Sequence, residues 1–218
     1  MSQRVALQEE EYKLVHPGLG AYDPGVIDPG LRTGRMRDAV TELAEQIYKF
    51  RLFTPEFCKA LIEQTERHHR WRINADVLDH PYTDGCHNYC FPDKTVQLDE
   101  FPGFATVWDE IVAHHLVPLI AELWPIFSLQ KINRPYIMKY EPTVVAGMPA
   151  HYDLETIALA VYLNNDFEGG GTIFPRWNVG TARESPGTAL IFPGGLSHVH
   201  QGLPISSGVR YLLCGAFF

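Results

Sequence analysis

The residues best able to do chemistry lie in the C-terminal half of the chain. His151 and Asp153 stand two apart at the head of HYDLETIALAVYLNN, and His198 and His200 stand two apart in GGLSHVHQGLP. Side chains two apart on a strand point to the same face, so the first pair aims an imidazole and a carboxylate at one point inside the fold. Neither suits a buried position unless it is paired or holds a metal. Two imidazoles and one carboxylate on one face of an octahedral ion form the site of non-haem Fe(II) oxygenases, which keeps positions open for co-substrate and dioxygen. Either His198 or His200 can supply the second imidazole, because strand parity does not separate them.

Arg210 sits ten residues past His200, inside the closing apolar run GVRYLLCGAFF. An inward guanidinium is costly without an anion, and its planar fork matches a carboxylate bidentately. A dicarboxylic keto acid meets both demands, with one end on the metal and the other on Arg210. 2-Oxoglutarate is such an acid. If the strand that begins at His151 keeps its register, Glu155 also points inward, about 7 Å beyond Asp153. A carboxylate there needs a cation, either an internal Arg or Lys or the ammonium or guanidinium of a basic substrate. An isolated H-x-D is weak evidence; the signal lies in the set of H-x-D, distal histidine and in-strand arginine.

These residues must be positioned by an α+β fold. From Pro135 onward short apolar runs (PYIMKYEP, TIALAVYLNN, GGTIFPRWN, GTALIFPGG, GVRYLLCGAFF) alternate with Gly/Pro/Asn clusters, the pattern of an antiparallel jelly roll or double-stranded β-helix. Such a fold sets two sheets face to face, so inward residues of distant strands converge. The helices are expected mainly in the N-terminal half, packed on one side. Val40, Leu43 and Ile47 form a helical stripe after Met36. Thr54 and Pro55 open a second helix that faces Phe57, Leu61 and Ile62 inward. A third carries Val107, Trp108, Ile111, Leu116, Leu119, Ile120 and Leu123, with a kink at Pro118. Residues 72 to 103 read as loop-rich. Residues 1–45 read as an arm plus the first helix, and 46–218 as a single catalytic domain.

Composition excludes some functions. The formal net charge of −8 and the lack of a Lys/Arg-rich run argue against binding the phosphate backbone of a nucleic acid. No apolar run approaches the roughly 18 residues of a membrane span, and the polar start MSQRVALQEEEYKL lacks a signal-peptide core. A cytoplasmic location is therefore expected, with Cys58, Cys86, Cys90 and Cys214 as thiols. CHNYC (Cys86, His87, Cys90), with His80 nearby, offers ligands at a spacing that fits no common zinc motif. His68-His69 and His114-His115 fall on predicted helices, and EGGGT reads as a turn into a strand rather than a phosphate loop, since no helix follows.

Two segments, HYDLETIALAVYLNNDFEGGGTIFPRWN and FPGGLSHVHQGLPISSGVRYLL, carry a resemblance to a known family. LFTPEFCKALIEQTERHHRW and PDKTVQLDEFPGFATVWDEIVAHHLVPLIAELWP carry it more weakly. From about residue 46 to 218 the chain resembles the catalytic domain of the procollagen-lysine 2-oxoglutarate dioxygenases, the lysyl hydroxylases. The resemblance implies His151, Asp153 and His200 as Fe(II) ligands and Arg210 on the 2-oxoglutarate carboxylate. It also implies a hydrogen bond from Tyr140 to 2-oxoglutarate, O2 as oxidant and ascorbate as reductant. His198 then serves behind the ligands or in structure, and Arg176 matches a family arginine whose role is not legible. Leu154 and Glu155 depart from the family, which has a small residue and a serine there. The loop between Asn165 and Phe167 is shorter than in the animal enzymes. Family members usually carry glycosyltransferase-like domains and a secretory signal, and this chain shows neither, so collagen is not implied. The expectation is a hydroxylase of lysine or a related basic unit, in a peptide or as a small molecule, with no nucleic-acid or membrane partner and open to homodimer formation. The rivals are a cupin-like metalloenzyme that uses no keto acid, and a non-catalytic binding domain that keeps the fold.

Overall fold

Alternation along the strands sorts the side chains into two cores. The computed structural model describes residues 14–32, 35–68, 71–73 and 94–218. An eight-stranded antiparallel sheet has the order β1 (Thr41–Ala44), β2 (Ile47–Arg51), β11 (Thr188–Pro193), β7 (Ile157–Tyr162), β14 (Arg210–Phe217), β5 (Tyr136–Tyr140), β4 (Lys94–Gln97), β3 (Arg72–Ile73). A four-stranded sheet has the order β10 (Val179–Thr181), β9 (Thr172–Phe174), β12 (His200–Gly202), β6 (Met148–His151), and β13 (Ile205–Gly208) pairs with β8 (Phe167–Gly169). Ile157, Leu159 and Val161 of β7 and Tyr211 and Leu213 of β14 face the helices. The alternate residues Ala158, Tyr162 and Leu212 face the smaller sheet with Met138, Phe174 and Phe192. Strand β7 is thus buried on both faces, which is why its sequence is almost continuously apolar.

The helix Pro55–His68 starts where Thr54 and Pro55 place it: Thr54 Oγ1 accepts from Phe57 N at 3.4 Å. Phe57 and Leu61 are buried and Ile62 packs at the edge. All seven apolar residues expected of the third helix are buried, in the sequence of helix Phe104–Ile111, π-helix Val112–Leu116 and helix Val117–Leu123. The π segment lies just ahead of Pro118, which sits in the first turn of the last piece, where its missing N–H costs nothing.

One reading of the sequence is corrected and another is refined. The stripe Val40, Leu43, Ile47 is not a helix: a 3-10 turn, Met36–Ala39, leads into the hairpin β1–β2, whose turn uses Gln46 at φ 60. β1 is a half-exposed edge strand, so burial imposes no clear alternation on it. The 72–103 segment is not wholly loop, since its described part includes β3, β4 and a 3-10 turn, Leu98–Glu100. Leu19, Val26, Ile27 and Leu31 of the N-terminal arm join the helix-side core. The Cys86, His87, Cys90 and His80 reading lies outside the described residues.

Candidate active site

His151 is the last residue of β6 and His200 the first of β12, and the two are direct partners across the ladder. Their ring centroids lie 4.3 Å apart. His151 Nδ1 lies 2.7 Å from Pro149 O, and His200 Nδ1 lies 3.1 Å from His198 O. A carbonyl can only accept, so both Nδ1 atoms carry a proton and Nε2 is the ring nitrogen that can ligate a metal. Each Nε2 faces Asp153, at 3.6 Å from His151 Nε2 to Oδ1 and 3.7 Å from His200 Nε2 to Oδ2. Ligand atoms of the three residues lie within 4.8 Å of one another.

Asp153 does not reach this point by strand parity. The strand expected from His151 onward ends at His151; residues 152–156 bend from the small sheet across to Ile157 in the large one, and Asp153 is carried into the gap on that crossing. The 194–195 turn holds the crossing, with Gly194 N donating to Thr156 O at 3.0 Å and Gly195 N to Asp153 O at 2.7 Å. A Cβ at Gly194 would meet Glu155 O at 1.9 Å, so only glycine fits.

Burial, and then the neighbouring His151, push the His200 imidazole down to about 3. The neutral form is the one that ligates a metal. Cys214 also lines the site, but burial pushes its thiol up to about 12 and withholds a soft thiolate donor. Two imidazoles and a carboxylate, with Cys214 outside the cluster, fit Fe(II).

Arg210 lies fully buried where β14 begins, opposite Tyr140 of β5. Its Nη1 donates to Gly171 O at 3.1 Å and its Nη2 to Thr172 Oγ1 at 3.2 Å. The guanidinium carbon lies 5.1 Å from the ring centroids of both Tyr140 and Tyr162. Among the described residues no carboxylate pairs with it, and Nε has no hydrogen-bond partner. Arg210 does not itself line the cavity over the three ligand-type residues; Tyr140 and Thr172, which touch it, do. Burial raises the Tyr140 hydroxyl well above its ordinary value, so it stays a donor.

The cavity holds about 90 Å³. Glu155 lines it, although the strand register used to place it does not hold. Its Oε2 is buried without a partner, and no ion pair forms to it among the described residues. The internal salt bridge weighed for it is therefore absent there.

His198 stands apart from the cluster. Its Nε2–H donates to Glu45 O at 3.1 Å, its Nδ1 accepts from Ser197 Oγ at 2.9 Å, and Trp177 packs on it at 4.8 Å. The parity tie between the two histidines is thus resolved in space, with only His200 beside Asp153. Sequence reasoning missed the glycine run as part of the site. Gly169, Gly170 and Gly171 all have positive φ, and the run delivers Gly171 O and Thr172 Oγ1 to Arg210. The EGGGT stretch was the available signal. Tyr136 and Met148 of the cavity carried none. Arg176 donates to Ser197 O at 3.4 Å, beside the turn that holds His198.

No family model matches the chain. It is 31% identical over 176 residues to a procollagen lysyl hydroxylase and glycosyltransferase of Acanthamoeba polyphaga mimivirus, covering 79% of this chain and 19% of that one. It is 28% identical over 170 residues to human procollagen-lysine,2-oxoglutarate 5-dioxygenase 1, covering 76% and 23%. The chain is thus similar to proteins named as procollagen-lysine 2-oxoglutarate dioxygenases, and it spans about a quarter or less of the length of these relatives. The fold is shared with a Trichoplax adhaerens prolyl hydroxylase solved with a hypoxia inducible factor peptide (TM-score 0.60, 12% identity, 100% of this chain and 94% of that one). It is shared also with a viral collagen prolyl hydroxylase of Paramecium bursaria chlorella virus-1 in its 2-oxoglutarate complex (TM-score 0.57, 16% identity, 80% and 96%). No helix among the described residues is long and apolar enough to cross a membrane.

Proposed function

We propose that this protein is an Fe(II)- and 2-oxoglutarate-dependent dioxygenase that hydroxylates a lysine or related basic amino-acid unit, in a peptide or as a small molecule. His151, Asp153 and His200 are its Fe(II) ligands, and Arg210 holds 2-oxoglutarate. The observation that carries the reading is the convergence of three ligand-type side chains within 4.8 Å in a cavity backed by a buried arginine that lacks a carboxylate. Similarity to relatives named as lysine dioxygenases supports the substrate class.

Bound by the triad, Fe(II) supplies the chemistry that splits dioxygen, one oxygen atom entering 2-oxoglutarate as it becomes succinate and carbon dioxide, the other entering a substrate C–H bond. The side chains bind, orient and exclude water. His198 O and Pro149 O fix the two imidazole tautomers, so that both Nε2 atoms face the metal position. Arg210 meets the far carboxylate of 2-oxoglutarate with a charge already desolvated and held by Gly171 and Thr172. Tyr140, kept protonated, adds a neutral donor. Met138, Met148, Phe192 and Leu212 keep the cavity dry.

The test is purified protein with Fe(II), 2-oxoglutarate and dioxygen, offered free basic amino acids, lysine peptides and norleucine counterparts. Succinate release and a one-oxygen mass gain are expected with the basic members alone. Equal turnover of the norleucine members would refute the substrate class, and turnover that needs no keto acid would refute the reaction.

A further inference from the structure

We infer that Glu155 is the residue that reads the positive charge of the substrate, as a subsite for an organic ammonium or guanidinium group. This rests on the reading above and deepens it.

A guanidinium and a carboxylate stand toward opposite ends of β14, the carboxylate lining the cavity and the guanidinium behind Tyr140 and Thr172. Arg210 opens β14, whereas Glu155 leads into Ile157, the register partner of Phe217 near the far end of that strand. The His151, Asp153, His200 cluster lines the same cavity as Glu155. No Lys or Arg lines the cavity among the described residues. The lining offers two carboxylates, and the role of one is plain, since Asp153 faces both imidazoles. Glu155 has no such role, and its Oε2 is left buried without a partner. A charge in that state calls for a counter-charge from outside the chain.

Charge balance leads to the same place. With Fe(II) and 2-oxoglutarate bound, the metal and Arg210 offset Asp153 and the two carboxylates of the keto acid. Among the described residues Glu155 is the one further carboxylate lining the site, and a cationic group on the substrate would meet it. The surroundings suit such a ligand. Tyr136 and Cys214, register partners on β5 and β14, line the same end of the cavity and offer an aromatic ring and a thiol. An aromatic face attracts an ammonium. The backbone that carries Glu155 is fixed by the Gly194 and Gly195 amides, which donate to the carbonyls of Thr156 and Asp153.

The experiment measures binding by calorimetry to anaerobic protein loaded with Fe(II) and 2-oxoglutarate, where no turnover can occur. The probes are Nα-acetyl-lysine amide and Nα-acetyl-norleucine amide, which share an aliphatic chain and differ in the ammonium. A charge-assisted hydrogen bond predicts that the parent prefers the lysine probe by about 10- to 100-fold. Glu155→Gln should bring the ratio close to one, and Glu155→Asp should keep part of it. The ratio is taken within one sample, so a general loss of fold lowers both affinities and leaves it unchanged. A Gln variant that retains the parent's ratio would overturn the assignment while the basic-substrate reading stands. A parent with no preference for lysine would overturn both. If the Gln variant does not fold, the Asp variant decides: a selective fall in lysine affinity supports the subsite, and an equal fall for both probes refutes it.

Discussion

Replacing Arg210 by lysine keeps the charge and removes the fork, which isolates what the fork does. The parent guanidinium is fixed by two hydrogen bonds, at 3.1 Å to Gly171 O and 3.2 Å to Thr172 Oγ1, and by the Tyr140 and Tyr162 rings at 5.1 Å. A lysine ammonium is a point charge that cannot reproduce both the stack and a bidentate carboxylate contact. Losing one hydrogen bond to a charged group, at about 1.5–3 kcal/mol, weakens 2-oxoglutarate about 10- to 150-fold. Ligand-linked stability makes this measurable without turnover. With Mn(II) in place of Fe(II), and 2-oxoglutarate at about 100 times its parent dissociation constant, the parent gains about 2.7 kcal/mol. In a chain of 218 residues that is about 5–11 °C in Tm. At the same concentration the lysine variant gains about 0.3–1.4 kcal/mol, no more than about 6 °C. Each shift is read against the same variant without 2-oxoglutarate, so any intrinsic destabilisation cancels. Equal shifts in parent and variant would remove Arg210 from the 2-oxoglutarate site.

Further outcomes follow from the same geometry. His151→Ala, Asp153→Ala and His200→Ala should each abolish saturable Fe(II) binding, while His198→Ala should weaken it about tenfold by freeing the turn that orients His200. His198→Gln, which can still donate to Glu45 O, should recover most of that loss in the same equilibrium titration. Gly194→Ala should destabilise the fold and weaken Fe(II) binding together, because its Cβ would strike Glu155 O at 1.9 Å. Gly195→Ala, with open space but φ 79 and ψ −179, a backbone region that essentially only glycine occupies, should cost about 1–3 kcal/mol by chemical denaturation. Burial works to raise the Glu66 carboxyl, but hydrogen bonds from Lys139 and Tyr211 outweigh it and hold Glu66 below the usual carboxylate range. A depressed folded-state pKa gives stability that is complete above the unfolded value, about 4.3, and is lost as pH falls through the folded one. Glu66→Gln should therefore flatten the acid side of a Tm-against-pH curve, and an unchanged acid slope would contradict the network.

Much of the site was legible because its parts sit in strongly patterned sequence. The five apolar runs after Pro135 became β5, β7, β9, β11 and β14, since a strand between two cores must alternate or be apolar throughout. Arg210 stood out as a charge inside such a run. What failed depended on pairings between distant segments. The Val40, Leu43, Ile47 spacing satisfies a helix as well as a hairpin, and the turn through Gln46 lacks the glycine that would mark it; Trp124 Nε1 holds Gln46 Oε1 at 2.8 Å from 78 residues away. Parity carried Asp153 and Glu155 to the right cavity for the wrong reason, because the chain leaves the ladder at His151 and crosses between sheets. Equal parity could not choose between His198 and His200. A carbonyl on the β1–β2 turn chose, by engaging one of them.

Whether His151, Asp153 and His200 hold iron that a keto acid can chelate is read from the visible charge-transfer absorption such chelation produces without oxygen. A saturable band is expected with the parent when Fe(II) and 2-oxoglutarate are both present. The band should persist in His198→Ala at saturating Fe(II) and disappear in His200→Ala. No band in the parent, or a band that survives in His200→Ala and is lost in His198→Ala, would contradict the assigned site.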